Sequence, residues 1–277
     1  MEARLSPDTA LYLYGIVALP IELPRCEAIE DGTSIDVIAG NRVACVVSPV
    51  PVRDYESSAT GRTAAEQLSW VTPRAWRHHE IVRALHASSA VVPLKFGTVC
   101  GRVDDVRDML ARCAGPIGAM LDRFRGRDEW TLSIQIDAER VIERFERDDH
   151  ELRALCEESR LLPEGRAYFS RKKRERRATG LLGAQLEATT REVLARIAPC
   201  VDALCEERTG TSAATLLVDR ARFEDLKAAL AGLETEASGD GLALELRGPW
   251  APYSFVNGSV DCGELAPGSG IESRIDR

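Results

Sequence analysis

The chain has 277 residues, of which 44% are hydrophobic and 29% charged, with a formal net charge of −8 and a pI near 5.2. This composition excludes global disorder, the length admits two domains, and the acidic balance argues against a surface built for nucleic acid. No apolar run reaches the roughly 18–20 residues that span a bilayer, so no membrane partner is expected.

In chain order, Leu11-Tyr12-Leu13-Tyr14-Gly15-Ile16-Val17 is β-prone and nearly all apolar, as a central strand is, and Pro20 and Pro24 end it. The stretch to Ile21 follows Glu2 and Asp8 and lacks a basic start or small-residue cleavage site, so it reads as a buried strand and not a signal peptide. Ser34–Ile38 and Arg42–Val47 form a hairpin through Ala39-Gly40-Asn41. Ser48-Pro49-Val50-Pro51 is expected to stop that sheet, because proline has no amide for the ladder. Thr63-Ala64-Ala65-Glu66 has capping-box spacing and opens a short helix. Thr72-Pro73 starts a second one, running to about Ala87, with Trp76, His79, Val82 or Arg83, and His86 on one face. Val91–Val99 follows as a strand whose Pro93 suggests an edge or a bulge. Val103, Val106, Leu110, Cys113, Ile117, Leu121 and Phe124 then give a helical stripe bent or broken at Gly115-Pro116.

Gly126-Arg127-Asp128-Glu129 reads as a polar turn and as the domain boundary. Beyond it Trp130–Ile136 alternates apolar with polar, and Asp137 and Asp149 each cap a helix, the first to Phe145 and the second to Arg160. The stretch from Gly165 to Arg208 organises the chain, because Leu182, Leu186, Val193, Ile197, Val201 and Leu204 recur at helical spacing and predict one long helix ending near Cys205. Its first turns carry the basic run Arg171-Lys172-Lys173-Arg174-Glu175-Arg176-Arg177, which projects into solvent or toward a partner. A strand at Ala213–Val218, a helix from Ala221 to about Glu236 striped by Phe223, Leu226, Leu230 and Leu233, a turn at Ser238–Gly241 and a last strand at Leu242–Leu246 complete the pattern. Gly248-Pro249-Trp250-Ala251-Pro252-Tyr253-Ser254-Phe255-Val256 is a stiff apolar strip that either locks the two domains together or presents a binding face. The fold class expected is α+β, with two tandem domains, 1–127 and 128–256, the second a modified ferredoxin-like fold with an enlarged helical crossover, and a flexible tail at 257–277.

Chemistry is sparse. The eight cysteines (Cys26, Cys45, Cys100, Cys113, Cys156, Cys200, Cys205 and Cys262) form no Cys-x-x-Cys pair and read as reduced thiols of a cytosolic protein. His78-His79-Glu80 through His86 is the richest titratable cluster, yet Arg83 stands where the second ligand of a zinc-protease helix would be, and His79 and His86 lie two turns apart. A hydrolase using His79 and Glu80 would carry metal, so the reading preferred is a helix with partly buried histidines. No phosphate-binding loop, dinucleotide fingerprint or nucleophile elbow is present, and no cofactor, metal or catalytic residue is expected. Lys95-Phe96-Gly97-Thr98-Val99 has one aromatic where an RNA-binding strand needs two or three. The basic run fits a solvated face, an acidic partner or, as the alternative function, a nucleic-acid-binding ferredoxin-like module using the basic helix.

Four stretches, taken in order, resemble the gas vesicle protein L/F family: Leu11–Ile16, the His79-Glu80 helix leading to Val92–Thr98, Gly165-Arg166-Ala167-Tyr168-Phe169, and Gly248–Phe255. The resemblance runs from Leu11 to Val256, and the Gly-Pro-Trp-x-Pro-Tyr-Ser-Phe ending is its most distinctive part. It implies a two-domain α+β protein without enzymatic activity that takes part in gas vesicle assembly, in the cytoplasm at the vesicle. Its partners would be the major hydrophobic shell protein and other vesicle accessory proteins. The contact residues expected are Arg171, Lys172, Lys173 and Arg174 on the basic helix for acidic partners, and for the apolar contact either Trp250, Tyr253 and Phe255 on the strip or the edge strand around Val91 to Phe96.

Overall fold

The computed structural model describes residues 6–55, 63–206, 212–237 and 241–256, and mixes helix and sheet as expected. These residues fall into two units, one of residues 6–129 with 249–256 and the other of residues 130–248. The tail at 257–277, with Cys262, lies outside the described residues. None of the described cysteines is in a disulfide.

In the first unit β1 (Thr9–Ala18), β2 (Asp36–Ala39), β3 (Val43–Pro51), β4 (Val91–Pro93) and β5 (Val99–Cys100) form one sheet in the order β2-β3-β1-β4, with β5 also paired to β1. β1 is central and buried from Ala10 to Val17, which explains its lack of a polar face. Against one face Ile81, Val82 and Leu85 of α2 (Ala64–Ser88), the helix after the single turn α1 (Val52–Tyr55), pack on Ala10, Tyr12, Tyr14 and Val17. The side chains of opposite parity, Leu11, Leu13 and Ile16, are also buried, and α3 (Val103–Arg112) and α4 (Ala114–Phe124) pack against strands of the sheet. Between Leu13 and Gly15 the β1–β3 register slips by one residue, Leu13 pairing with Val47 and Gly15 with Val46, so Tyr14 is the extra residue. That bulge moves the α2 face from even positions before it to Val17 after it. At Gly15 a β-carbon would stand 2.8 Å from Val91 Cγ2 and 3.0 Å from the Val92 carbonyl, so β4 approaches only because the side chain is missing.

Several local expectations are corrected. β3 runs through Pro49 and Pro51 and does not stop at Ser48, because β2 pairing ends at Asp36–Val47 and leaves the far side of β3 without a ladder that needs those amides. The capping box at Thr63 and Glu66 opens one continuous helix, not a short one, since the Thr72 hydroxyl donates to the Leu68 carbonyl (2.8 Å) and caps nothing. Its buried face is His78, Ile81, Val82, Leu85 and His86, and Trp76 is exposed. The expected Val91–Val99 strand is two short strands on β1, split by a loop with Gly97 at φ +85. The α3–α4 break falls at Cys113, and Pro116 sits in the first turn of α4, where its missing amide has no intrahelical partner to lose. Of the polar turn only Gly126, at φ +70, turns the chain, while Asp128 and Glu129 are buried in β6 (Arg127–Gln135). Hydrogen bonds to His86 and Ser254 compensate their burial.

In the second unit β6, β7 (Ala203–Glu206), β8 (Ala213–Asp219) and β9 (Ala243–Trp250) form a sheet in the order β7-β8-β6-β9. Leu132 and Ile134 of β6 and Ala214, Leu216 and Val218 of β8 meet Val193 and Ile197 of α7 (Glu164–Ile197) and Leu226, Leu230 and Leu233 of α8 (Phe223–Glu236). α7 has 34 residues and is about 51 Å long at 1.5 Å per residue. Its C-terminal half packs on the sheet. Its N-terminal half packs against α5 (Ala138–Asp148) and α6 (His150–Leu161), whose N-caps Asp137 and Asp149 accept backbone amides as expected. The helix does not continue to Cys205. Pro199 cannot donate to the i−4 carbonyl, residues Ala198–Cys200 tighten into a 3-10 turn, and Ala203–Glu206 becomes a strand antiparallel to β8. Val201 and Leu204 thus follow helical spacing without lying on the helix.

Candidate functional site

Three of the four stretches that carry the resemblance meet inside the first unit. β1 supplies Tyr12 and Tyr14, α2 supplies His78, the loop between β4 and β5 supplies Phe96 and Gly97, and the C-terminal segment supplies Tyr253. His78 stands at the centre, with Nδ1 2.9 Å from the Tyr12 hydroxyl and Nε2 3.1 Å from the Tyr253 hydroxyl. The Gly97 amide donates to the Tyr12 oxygen at 3.0 Å. A consistent assignment has Tyr12 donating to Nδ1 and His78 donating from Nε2 to Tyr253. Tyr14 stacks on the imidazole with ring centres 5.9 Å apart, and the Phe96 ring meets it edge-on at the same distance. Tyr14 in turn accepts from the Ile29 amide (2.9 Å) and shares a hydrogen bond with Ser48 (2.8 Å).

The electrostatics are those of a dry site. Burial, only partly opposed by the Leu94 carbonyl, lowers the His78 pKa from 6.5 to about 4, so the ring is neutral at physiological pH. Burial also raises the Tyr14 pKa to about 12 and raises Tyr12 and Tyr253 as well. Glu129 accepts the Ser254 amide (2.8 Å) and hydroxyl (2.9 Å), and burial raises its pKa despite those two bonds. Nearby, Glu30 binds Arg74 through two hydrogen bonds of 2.8 and 2.7 Å and accepts from the Tyr55 hydroxyl at 2.7 Å. These contacts hold neutral rings and the C-terminal segment in place.

The strip at Trp250–Phe255 therefore departs from the expected binding face and from the expected second domain. Phe255 is only 4% exposed, with the Arg123 guanidinium 5.7 Å from its ring centre, and Ala251 and Tyr253 join the first unit's core. Tyr253 and Phe255, expected at a partner contact, are engaged in these internal contacts. Trp250, 36% exposed, packs edge-on against His79 at 5.4 Å. Val91–Pro93 is at the end of the strand order, as expected of an edge, and its side chains are buried. His79 and Glu80 do not form a metal pair, since Glu80 binds Arg83 through two hydrogen bonds of 3.0 and 2.7 Å. Among the described residues no three His, Cys, Asp or Glu side chains converge to hold an ion.

In the second unit the basic run divides. Arg174 pairs with Glu146 of α5, its Nε donating at 2.9 Å, and Arg177 pairs with Asp149 at 2.9 Å and Glu151 at 3.3 Å. Lys172 reaches Glu175 within the helix at 3.1 Å. Arg171, Lys173 and Arg176 are exposed and make no ion pair with any described residue. Sequence reasoning missed Tyr12, Tyr14, His78, Glu129 and Ser254. The signal at hand was two tyrosines at period two in an otherwise aliphatic strand, which calls for buried hydrogen-bond partners.

Comparison with known proteins gives a consistent picture. The family model for gas vesicle synthesis protein GvpL/GvpF matches residues 10–257. Gas vesicle protein L of Streptomyces sp. (strain CB03234) is 26% identical over 265 residues, covering 91% of this chain and 94% of its own. Gas vesicle protein F of the same strain is 28% identical over 224 residues, covering 75% and 89%. The crystal structure of GvpF from Anabaena sp. PCC7120 has a similar fold, with a TM-score of 0.68, 16% identity and coverage of 90% of this chain and 98% of that one. GvpF from Microcystis aeruginosa gives 0.63, 13%, 90% and 99%. Among the described residues no helix is long and apolar enough to cross a membrane.

Proposed function

This chain belongs to the gas vesicle synthesis protein GvpL/GvpF family, and on that premise we propose that it acts in gas vesicle assembly by binding the major hydrophobic shell protein and other vesicle proteins. The observation that carries the reading is the family match from residue 10 to 257, which takes in residues of both units. In this reading the protein is a non-enzymatic accessory or minor structural component that works in the cytoplasm at the vesicle. The second unit acts as a modified ferredoxin-like domain, for which the strand order β7-β8-β6-β9 and the succession strand, helices, two strands, helix, strand are the support. A protein that escorts a very apolar subunit has to shield apolar surface and strand edges until they are paired. Arg171, Lys172, Lys173 and the exposed side of Trp250 are the proposed contacts, with Arg174 contributing beside its Glu146 pair.

Co-expression with the major shell protein, followed by co-purification with and without nuclease, tests this. Nuclease-resistant association is the expected result. A shell protein that never co-purifies would remove direct shell contact from the reading, and association abolished by nuclease would replace it with the nucleic-acid alternative.

A further inference from the structure

The outer face of the first turns of α7 carries more than charge. Among the described residues two of the exposed large apolar side chains stand side by side there, Tyr168 at 55% and Phe169 at 69%. Tyr168 and Phe169 meet edge to face at 5.7 Å, in the open. Helical geometry places Lys172 and Arg176 on the stripe of Phe169, three and seven residues on, with Lys173 four residues on, and places Arg171 and Lys172 beyond Tyr168. The opposite face, with Ala167, Ser170 and Ala178, is buried, so the aromatic and basic side chains cannot turn inward. Arg174 and Arg177 are neutralised by α5 and α6. The carboxylates within the same turns are Glu164 and Glu175, and Glu175 already binds Lys172. Arg171, Lys173 and Arg176 remain, a local positive surplus around two rings on a chain of net charge −8.

We infer that this face is a docking ridge for an acidic amphipathic helix of a partner protein, the rings seating against its apolar residues and Arg171, Lys173 and Arg176 meeting its carboxylates. The inference rests on the reading of this chain as an assembly protein that binds other proteins. Charge complementarity selects this occupant, because a peptide with a few carboxylates meets little repulsion from the acidic remainder, whereas a polyanion meets it along its length. A bilayer surface calls for a broad apolar face, and here the apolar part is the two rings.

The test is fluorescence anisotropy of the full-length protein with a labelled amphipathic peptide of about 20 residues, glutamates flanking a leucine stripe, long enough to be helical. A scrambled peptide of the same composition, a single-stranded RNA of about 20 nucleotides and phosphatidylserine vesicles are run beside it. The ordered peptide is expected to bind best. The double variant Tyr168→Ser, Phe169→Ser should weaken it about tenfold, as loss of an aromatic anchor does. Arg171→Glu with Lys173→Glu should weaken it at least as much and flatten its salt dependence. Circular dichroism of each variant should match the parent, since all four side chains are exposed. Equal binding of the scrambled peptide, tighter binding of RNA or vesicles, or variants that bind like the parent would overturn the inference. Shell co-purification with the aromatic variant separates the two readings: a variant that loses the peptide but keeps the shell protein supports the ridge as a site for another partner. A parent that binds the peptide and not the shell protein fails only the shell-binding reading.

Discussion

His78 offers a quantitative check on the first unit. Its pKa is held at about 4 against an ordinary 6.5, chiefly by burial, inside a ring of Tyr12, Tyr14, Phe96 and Tyr253. Below pH 6.5 the unfolded chain takes up a proton that the folded chain refuses until about pH 4, so acid favours unfolding throughout that window and the stability is fully present above it. At about 1.4 kcal/mol per pH unit the full effect is on the order of 3 kcal/mol, of which roughly 2 kcal/mol is lost between pH 7 and pH 5. That interval is chosen because Glu30, which Arg74 and Tyr55 hold low against the push of burial, and Asp149, held low by Arg177, lose their contributions only below it. The assay is urea unfolding at the two pH values on the parent and on His78→Asn. The variant should be less stable at pH 7, and its loss on acidification should be smaller by about 2 kcal/mol. Equal losses in parent and variant would show that His78 is not the group excluded from protonation.

Three further outcomes follow from the same unit. Gly15→Ala should destabilise by about 1–3 kcal/mol, because the added methyl meets a backbone carbonyl that cannot swing away, and an unchanged melting temperature would contradict the close approach of β4. Tyr253→Phe removes one hydrogen bond to His78 and should lower stability by about 1 kcal/mol in chemical denaturation, while a neutral result would place that hydroxyl outside the network. Glu129→Ala leaves the Ser254 amide and hydroxyl without their acceptor. It should cost about 1–3 kcal/mol and speed amide exchange at Ser254, with Glu129→Gln milder because one acceptor survives; protection at Ser254 equal to the parent's would refute the role given to that carboxylate.

Local rules read much of this architecture correctly and failed where tertiary pairing decides. The central position of β1, the capping box at Thr63 and Glu66, the Asp137 and Asp149 caps and the α8 stripe are set by neighbours within a few residues, and they were legible. The end of α7 was not, because Val201 and Leu204 keep a helical rhythm by coincidence and only the pairing of Ala203–Glu206 with β8 makes them a strand. The prolines of β3 misled for a related reason, since a missing amide matters only where a neighbouring strand would accept it. The tyrosine and histidine cluster was hidden most deeply. Its members stand 66 and 175 residues apart in the two hydrogen bonds to His78, and no window on the sequence brings them together.

The placement of Ala251, Tyr253 and Phe255 in the first unit has a consequence for synthesis. That unit cannot close its core until the ribosome has also made residues 130–248, so its earlier strands wait with Tyr12 and His78 uncovered on the side that Tyr253 fills. At roughly 5–20 residues per second that wait is on the order of 6–24 s, during which the inserted unit has a complete chain and can fold first. A nascent chain interrupted before Tyr253 would lack the hydroxyl that meets His78 Nε2 and the ring beside that imidazole.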